Sequence, residues 1–401
     1  MKTIITKNIE NIKNASFSIN NLSIKKRNTI IKEIGNSLII NKDLILKENK
    51  KDLKKIDKNC HNYDRLLLTE ERIKSISESC TNLCKIKDPL NKFNKEKTIK
   101  TNDDLIIKKI GIPLGVIACI YEARPNVTID LIVMSIKSGN AIILKGGKEA
   151  KNTNKILVNL VKKVLEKNKI DTDIIYNFPL NRQYLKYLYN GIGLIDVIIP
   201  RGGKKLIESV KKKSLIPIIE TGAGVVHMYL DEDIDNIINQ TIEVITNAKV
   251  SRPSVCNALD TLIINKNIKE ENIRYILDTL KQNKINLIEI EQDYNKEHLN
   301  LNLNIKYVNN IDEAIKHIYK YSSKHSDGII SKNNKNINYF LNKVDTSVVY
   351  VNTSTRFSDG GCFGFGGEIG ISTQKLHARG PMGTEALVTY KYIVKSDFKT
   401  R

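Results

Sequence analysis

The residues best suited to chemistry stand together in Asn247-Ala-Lys-Val-Ser-Arg-Pro-Ser-Val-Cys-Asn257, where an amphipathic helical pattern runs out into a polar loop with one cysteine. The thiolate is the nucleophilic form of cysteine, and the positive charge of Lys249 and Arg252 would favour it at Cys256. A lone cysteine is more often a small buried hydrophobe; the polarity of the loop and Pro253 weigh against that reading without removing it. Two glycine turns suggest a second chemistry. Lys145-Gly-Gly-Lys-Glu149 follows the β-rich run Ala141–Leu144, and Pro200-Arg-Gly-Gly-Lys204 follows Asp196–Ile199, each just ahead of a helical stretch. Turns of this kind expose N–H groups at the positive end of a helix dipole, where phosphate binds; a turn needed only for its backbone angles is the alternative. Neither a P-loop nor a G-x-G-x-x-G fingerprint is present: Gly146-Gly147-Lys148-Glu149 lacks the Ser/Thr, and Gly222-Ala-Gly224 and Gly364-Phe-Gly366 lack the third glycine. Cys80 and Cys84 have no second close pair of ligands, so no metal is expected.

These groups need a scaffold, and its texture is readable. Up to about residue 95, Ile and Leu recur at three- and four-residue spacing, as in Ile30-Ile31, Ile34 and Leu38-Ile39, which predicts helices. From residue 105 onward strands and helices alternate. Strands are expected at Leu105–Lys109, Gly115–Tyr121, Ala141–Leu144, Asp173–Tyr176, Asp196–Ile199 and Pro217–Glu220, with helices at Val127–Lys137, Glu149–Lys167, Tyr184–Tyr189 and Lys204–Lys212. A second block follows, with strands at Val225–Leu230, Thr261–Ile264, Asn304–Val308, Gly328–Ser331 and Ser347–Val351. Its helices are expected at Ile234–Lys249, Ile268–Lys281, Ile311–Tyr321 and Asn333–Asn342. Strict alternation implies parallel sheets covered on both faces, hence an α/β fold with two such domains.

The chain has 401 residues, 41% of them hydrophobic, enough for two or three domains. Its net charge of +21 invites a nucleic-acid reading, but the lysines are scattered and their longest run is Lys211–Lys213. The charge reads as a solvated surface that attracts anionic substrates, so no nucleic-acid partner is expected. No apolar run approaches the roughly 18 residues of a membrane span, and no secretory signal opens the chain. A cytoplasmic protein with reduced cysteines and no membrane partner is expected.

Seven stretches resemble the γ-glutamyl phosphate reductases, a family of the aldehyde dehydrogenase superfamily: Tyr121-Glu-Ala-Arg-Pro-Asn-Val-Thr128, Leu144-Lys-Gly-Gly-Lys-Glu149, Ile199-Pro-Arg-Gly-Gly203, Arg252-Pro-Ser-Val-Cys-Asn257, His325-Ser-Asp327, Tyr350-Val-Asn-Thr-Ser-Thr-Arg-Phe357 and Ser372-Thr-Gln-Lys-Leu-His-Ala-Arg-Gly-Pro-Met-Gly383. They stand in the family's order over roughly residues 105 to 395. The resemblance implies an aldehyde-dehydrogenase-like fold of two Rossmann-like parallel-sheet domains and a small oligomerisation β-flap. Residues 1–99 and 111–224, with part of 355–385, would bind the cofactor; 225–354 would carry the nucleophile; 100–110 and 386–401 would form the flap.

The implied activity is NADPH-dependent reduction of L-glutamyl 5-phosphate to L-glutamate 5-semialdehyde, the second step of proline biosynthesis from glutamate, through a thioacyl intermediate on Cys256. Asn126 would steady the oxyanion, and Glu220 stands where the superfamily places its general base. NADP(H) would meet Lys145, Gly146, Gly147, Lys148 and Glu149 at its adenosine ribose, Arg201, Gly202 and Gly203 at its pyrophosphate, and Glu297 at its nicotinamide ribose. Arg124, Arg356, His377 and Arg379 are the candidates for the substrate's amino-carboxylate. A homo-oligomer, dimer or tetramer, is implied, and association with glutamate 5-kinase is left open. Two other readings compete: a broader aldehyde dehydrogenase of the same fold, and a basic nucleic-acid-binding protein without catalysis.

Overall fold

Helices form first along the chain, and their capping is local. Ser23 Oγ accepts from the Lys26 amide at 3.3 Å and Thr69 Oγ1 from the Arg72 amide at 3.2 Å, closing the amino ends of α2 (Ile24–Ile40) and α5 (Glu70–Lys85). With α1 (Lys2–Asn20), α3 (Lys42–Leu53) and α4 (His61–Leu66) they make up the predicted N-terminal helical region. The computed structural model describes residues 2–58, 60–93, 98–101, 105–122, 124–290 and 293–401, so residues 102–104 of the expected flap and Ala123 lie outside the described residues.

The chain divides into two units: residues 1–220 with 364–370 and 382–401, and residues 221–363 with 371–381. In the first unit β1 (Ile99–Lys100), β2 (Ile106–Pro113), β3 (Val116–Tyr121), α6 (Pro125–Lys137), β4 (Ala141–Lys145), α7 (Lys151–Lys167), β5 (Ile175–Asn177), α8 (Leu185–Tyr189), β6 (Val197–Arg201) and α9 (Lys204–Lys213) follow in turn. Strands β3 to β6 make a parallel sheet ordered β5-β4-β3-β6. The order reverses at β3 and β6, and in such sheets ligands bind outside the carboxyl ends of the strands at that point. Those ends carry Glu122, the turn after Lys145 and the turn after Arg201.

In the second unit β7 (His227–Leu230), α10 (Ile238–Val250), β8 (Thr261–Asn265), α11 (Glu270–Gln282), β9 (Asn286–Ile288), β10 (Asn302–Val308), α12 (Ile311–Tyr321), β11 (Ser326–Ile330), α13 (Asn334–Lys343) and β12 (Val348–Val351) build a parallel sheet ordered β12-β11-β7-β8-β10-β9. Its core joins Met228, Leu230, Leu262, Ile264, Leu303 and Ile305 to Ile242 and Ile245 of α10 and Ile276 and Leu280 of α11. Each such aliphatic side chain contributes about 1.5–3 kcal/mol on burial. A two-stranded ribbon, β13 (Ile371–Ser372) with β14 (Gly380–Pro381), also lies in this unit. The chain then returns to the first unit, where β15 (Val388–Lys395) pairs antiparallel with β2 over Val388↔Pro113 to Lys395↔Ile106.

The expected strand Pro217–Glu220 is only an isolated bridge between Ile218 and Ile198. Pro217 before the bridge, and Pro200 of β6 beyond it, in register with Glu220, have no N–H to donate, so a ladder cannot extend in either direction. The expected strand from Val225 starts two residues late. The amides of Val225 and Val226 go to side chains, Ser323 Oγ at 2.8 Å and Asp260 Oδ2 at 3.3 Å, instead of to a neighbouring strand. Strand β9 was not expected; it is a short edge strand in an Asn-rich stretch with no alternation to signal it.

Candidate active site

Cys256 lies in the loop between α10 and β8, at the amino-terminal edge of the second unit's sheet, and is half-buried. The loop is pinned at its base and along its length. At the base, Lys249 is fully buried, donates to the Leu259 carbonyl at 2.6 Å and lies 3.9 Å from Asp260. Burial pushes the lysine's pKa down and the aspartate's up, each countered by the other's charge. Asp260 also accepts the His298 amide at 3.0 Å. The ammonium expected to support the thiolate is thus engaged in holding the two ends of the loop.

Beyond Cys256, Asn257 Nδ2 donates to Ser358 Oγ at 3.1 Å, and the Asn257 carbonyl accepts from Thr355 Oγ1 at 2.6 Å. Ser358 meets Ser326 at 3.5 Å, and Ser326 meets His325 Nδ1 at 2.9 Å. His325 is wholly buried, and burial lowers its pKa to about 4, so the ring is neutral at pH 7. A third support comes from Gly224, where an added Cβ would stand 1.5 Å from the Cys256 carbonyl oxygen. Only glycine lets the two backbones approach this closely. The Gly224 amide donates to Glu297 Oε1 at 3.2 Å, so Glu297 is tied to the segment ahead of β7 that lies against the Cys256 loop.

Arg356 is a cation that interacts with the charge of Cys256. Burial lowers its pKa, and the charge of Cys256 raises it while that of Arg252 lowers it further. Its Nε donates to Ser251 Oγ at 3.1 Å. Arg379 is engaged elsewhere, 2.8 Å from Asp345, which also pairs with Lys375 at 2.8 Å. Hydrogen bonds from Lys375 and Arg379 hold Asp345 at a pKa of about 2. His377 is exposed, with a positive φ of 66°. Cys80 and Cys119 are buried, with pKa values pushed up to about 12 by burial, and Cys362 is exposed. The described residues hold no cluster of three metal-ligating side chains.

In the first unit the glycine turns lie at the sheet edge, but the helix ends behind them are taken. Asp52 of α3 accepts the Asn152 and Thr153 amides of α7 at 3.2 and 2.8 Å. Glu122 accepts the Gly203 amide ahead of α9 at 3.0 Å, and a Cβ on Gly202 would come 2.7 Å from that carboxylate. Carboxylates thus sit where the helix dipoles were expected to meet phosphate. Sequence reasoning missed both, because neither lies near its partner in the chain.

What the turns present instead is side-chain charge and space. Lys145 is buried and donates to the Gly146 carbonyl at 3.0 Å; burial depresses its pKa, and so does the charge of Arg182, against Glu149. Arg182, exposed and also missed, adds a cation at this turn. Gly146 leaves a cradle that a Cβ would fill, 2.4 Å from Asn154 Nδ2 and 3.2 Å from the Tyr121 hydroxyl. Arg201 Nη1 is buried without a hydrogen-bond partner. A desolvated lysine, an unsatisfied guanidinium and a glycine cradle fit a phosphate-bearing dinucleotide.

Asn126 is in the first turn of α6, whose cap residue is Arg124, and it hydrogen-bonds Asp130. Burial raises Asp130 to about 6, opposed by the Arg201 charge and by Asn126. Lys148 is exposed and Gly147 half-buried, and Glu220 pairs with Lys211 at 2.9 Å.

Two parallel-sheet units, each built of alternating strands and helices, define the aldehyde-dehydrogenase-like fold. The fold superposes on an acetylating aldehyde dehydrogenase from Geobacillus thermoglucosidasius with a TM-score of 0.71 at 15% identity, over 100% of this chain and 98% of that one. The chain belongs to the γ-glutamyl phosphate reductase family. It is 40% identical to the enzyme of that name from Chlorobium phaeobacteroides over 100% of both chains, and 43% identical to that of Clostridium acetobutylicum over 97% of each. The crystal structure of the Thermotoga maritima γ-glutamyl phosphate reductase matches with a TM-score of 0.94 at 34% identity, covering 99% of both chains. No family model matches the chain. No described helix is long and apolar enough to cross a membrane.

Proposed function

We propose that this chain reduces L-glutamyl 5-phosphate to L-glutamate 5-semialdehyde with NADPH, using Cys256 as the covalent nucleophile. The observation that carries the reading is the Cys256 loop itself: a half-buried thiol beside Arg356, on a backbone seated against Gly224 and held by Asn257, Ser358 and Thr355. A thiolate there displaces phosphate from the acyl phosphate and leaves a thioester. Bound NADPH supplies the hydride that a carboxylate would not accept. The Cys256 amide stabilises the oxyanion, and the thiolate is regenerated as the aldehyde leaves; Asn126 is the further donor that the family resemblance implies. No water enters the reaction, so a general base at Glu220 is not required, and its pairing with Lys211 supports at most a role in proton handling.

Lys145, Lys148, Glu149 and Arg182 would hold the adenosine ribose and its 2′-phosphate, which favours NADP over NAD. Gly146 and Gly147 leave room for it. Arg201, with Gly202 and Gly203, would serve the pyrophosphate, and Glu297 the nicotinamide ribose. Arg124 and His377 remain the candidates for the amino-carboxylate. The β1-β2-β15 sheet would be the homo-oligomer contact, since Ile106, Tyr390, Tyr392 and Val394 are exposed along it.

The test is oxidation of glutamate semialdehyde with NADP, with and without inorganic phosphate. Phosphate-dependent turnover that Cys256→Ser lowers by about a thousandfold or more supports the proposal. Turnover without phosphate would instead favour a hydrolytic aldehyde dehydrogenase. Mapping iodoacetamide to Cys60 or Cys362, with Cys256 inert and activity retained, would overturn it.

A further inference from the structure

Two guanidiniums interact with each other here, and one of them, Arg356, also with Cys256. Arg252 is exposed, four residues before Cys256, and Arg356 is half-buried, with its Nε on Ser251 Oγ at 3.1 Å. The Arg356 carbonyl accepts from Asn257 Nδ2 at 3.4 Å, so its backbone is fixed to the residue after the cysteine. Among the described residues no ion pair joins either arginine to a carboxylate, unlike Arg379 with Asp345. The acid whose charge acts on Arg356 is Asp359, and its Oδ1 already accepts the amides of Gly361 and Cys362 at 2.9 Å each.

We infer that Arg252 and Arg356 form the clamp for the leaving phosphate and are not the seat of the substrate's amino-carboxylate. The inference rests on the acyl-phosphate reading above. Three features favour phosphate. The phosphate oxygen is bonded directly to the carbon that Cys256 attacks, whereas the amino-carboxylate is at the far end of the substrate. Two like charges brought together suit a phosphate carrying about −1.5 to −2 charges, while an amino-carboxylate is a net-neutral zwitterion that would also need an acid for its ammonium. Arginine's fork binds phosphate bidentately. In the step itself the Cys256 Sγ–carbon bond forms and the carbon–oxygen bond to phosphorus breaks. The phosphate departs with that electron pair, and both guanidiniums neutralise the charge that develops on it. Both are therefore catalytic residues as well as determinants of specificity for an acyl phosphate over an acyl ester.

The experiment runs the full-length enzyme in the oxidative direction, where inorganic phosphate is a co-substrate. Arg356→Lys and, as an exposed position that folding does not depend on, Arg252→Gln are compared with wild type. The expected result is a KM for phosphate raised about 10- to 100-fold in each, with KM for glutamate semialdehyde and for NADP unchanged. A rise in semialdehyde KM with phosphate KM unchanged would overturn the clamp and return Arg356 to the amino-carboxylate. Wild-type turnover that ignores phosphate would sink the underlying function instead, so the two failures are distinct.

Discussion

Replacing Gly224 by alanine puts a methyl carbon 1.5 Å from the Cys256 carbonyl oxygen, where ordinary contact begins at 3.4 Å. One of the two backbones must therefore retreat by about 2 Å, and neither is easily moved. Gly224 is bonded to Glu297 at 3.2 Å, and the Cys256 loop is held on its far side by Thr355 at 2.6 Å and at its base by Lys249 at 2.6 Å. Misplacing a reacting group by about 1 Å costs on the order of 100-fold in rate, so kcat/KM should fall about 100-fold or more. Overpacking should cost about 1–3 kcal/mol in stability, visible as a drop of several degrees in Tm without loss of the folded baseline. The assays are steady-state kinetics, the second-order rate of iodoacetamide labelling at Cys256, and thermal unfolding. Gly193→Ala is the control. Its φ is +77° with nothing within 4 Å of the added carbon, so it should lose roughly 1–2 kcal/mol to backbone strain and none of the rate. If Gly224→Ala keeps kcat/KM within about threefold of wild type, the close approach is not what positions the nucleophile.

Three further outcomes follow from the same shell. His325 has a folded pKa of about 4 against an ordinary value of 6.5, so its contribution is complete above pH 6.5 and is lost as pH falls toward 4. That amounts to roughly 3 kcal/mol, and His325→Asn should flatten the pH dependence of Tm in this window; an unchanged slope would refute it. Lys249→Met should cost roughly 3 kcal/mol by leaving Asp260 buried beside no cation, and adding Asp260→Asn should recover part of it; strictly additive losses in the double-mutant cycle would show the pair is not coupled. Arg379→Gln should lower Tm while leaving the semialdehyde KM unchanged, because the guanidinium is engaged with Asp345; a KM rise of about tenfold would restore it as a substrate ligand.

The apolar scaffold was largely legible in the sequence. Helix α12 begins and ends where its spacing predicts, at Ile311 and Tyr321, and the α/β alternation gave both parallel sheets. The strands failed where proline or polar residues intervened, as at Pro217 and Val225. Cys256 was singled out through resemblance; its loop composition alone still favoured a buried thiol. The support around it was not legible by any local signal. Thr355 and Asn257 are 98 positions apart, Ser358 and Asn257 101, and Gly224 and Glu297 73.

This blindness has a physical origin in where the site is built. A parallel strand announces itself as an apolar run, and the Cys256 loop sits at the amino-terminal edge of the second unit's sheet, where those runs begin with polar residues. Strand β11 starts at Ser326 and not at Gly328, because Ser326 and Asp327 are already in register with Val348 and Val349 of β12. Asp327 spends its carboxylate on the His227 amide at 3.0 Å, on Ser322 Oγ at 2.6 Å and on Thr346 Oγ1 at 2.5 Å, which lets a charged residue sit fully buried inside a sheet. Read along the sequence, His325, Ser326 and Asp327 look like a loop. Yet Ser326 and Asp327 are paired across the sheet, and His325 and Ser326 open a hydrogen-bonded chain that runs through Ser358 to Asn257, the residue after Cys256, so residues that hide the strand also help to fix the loop.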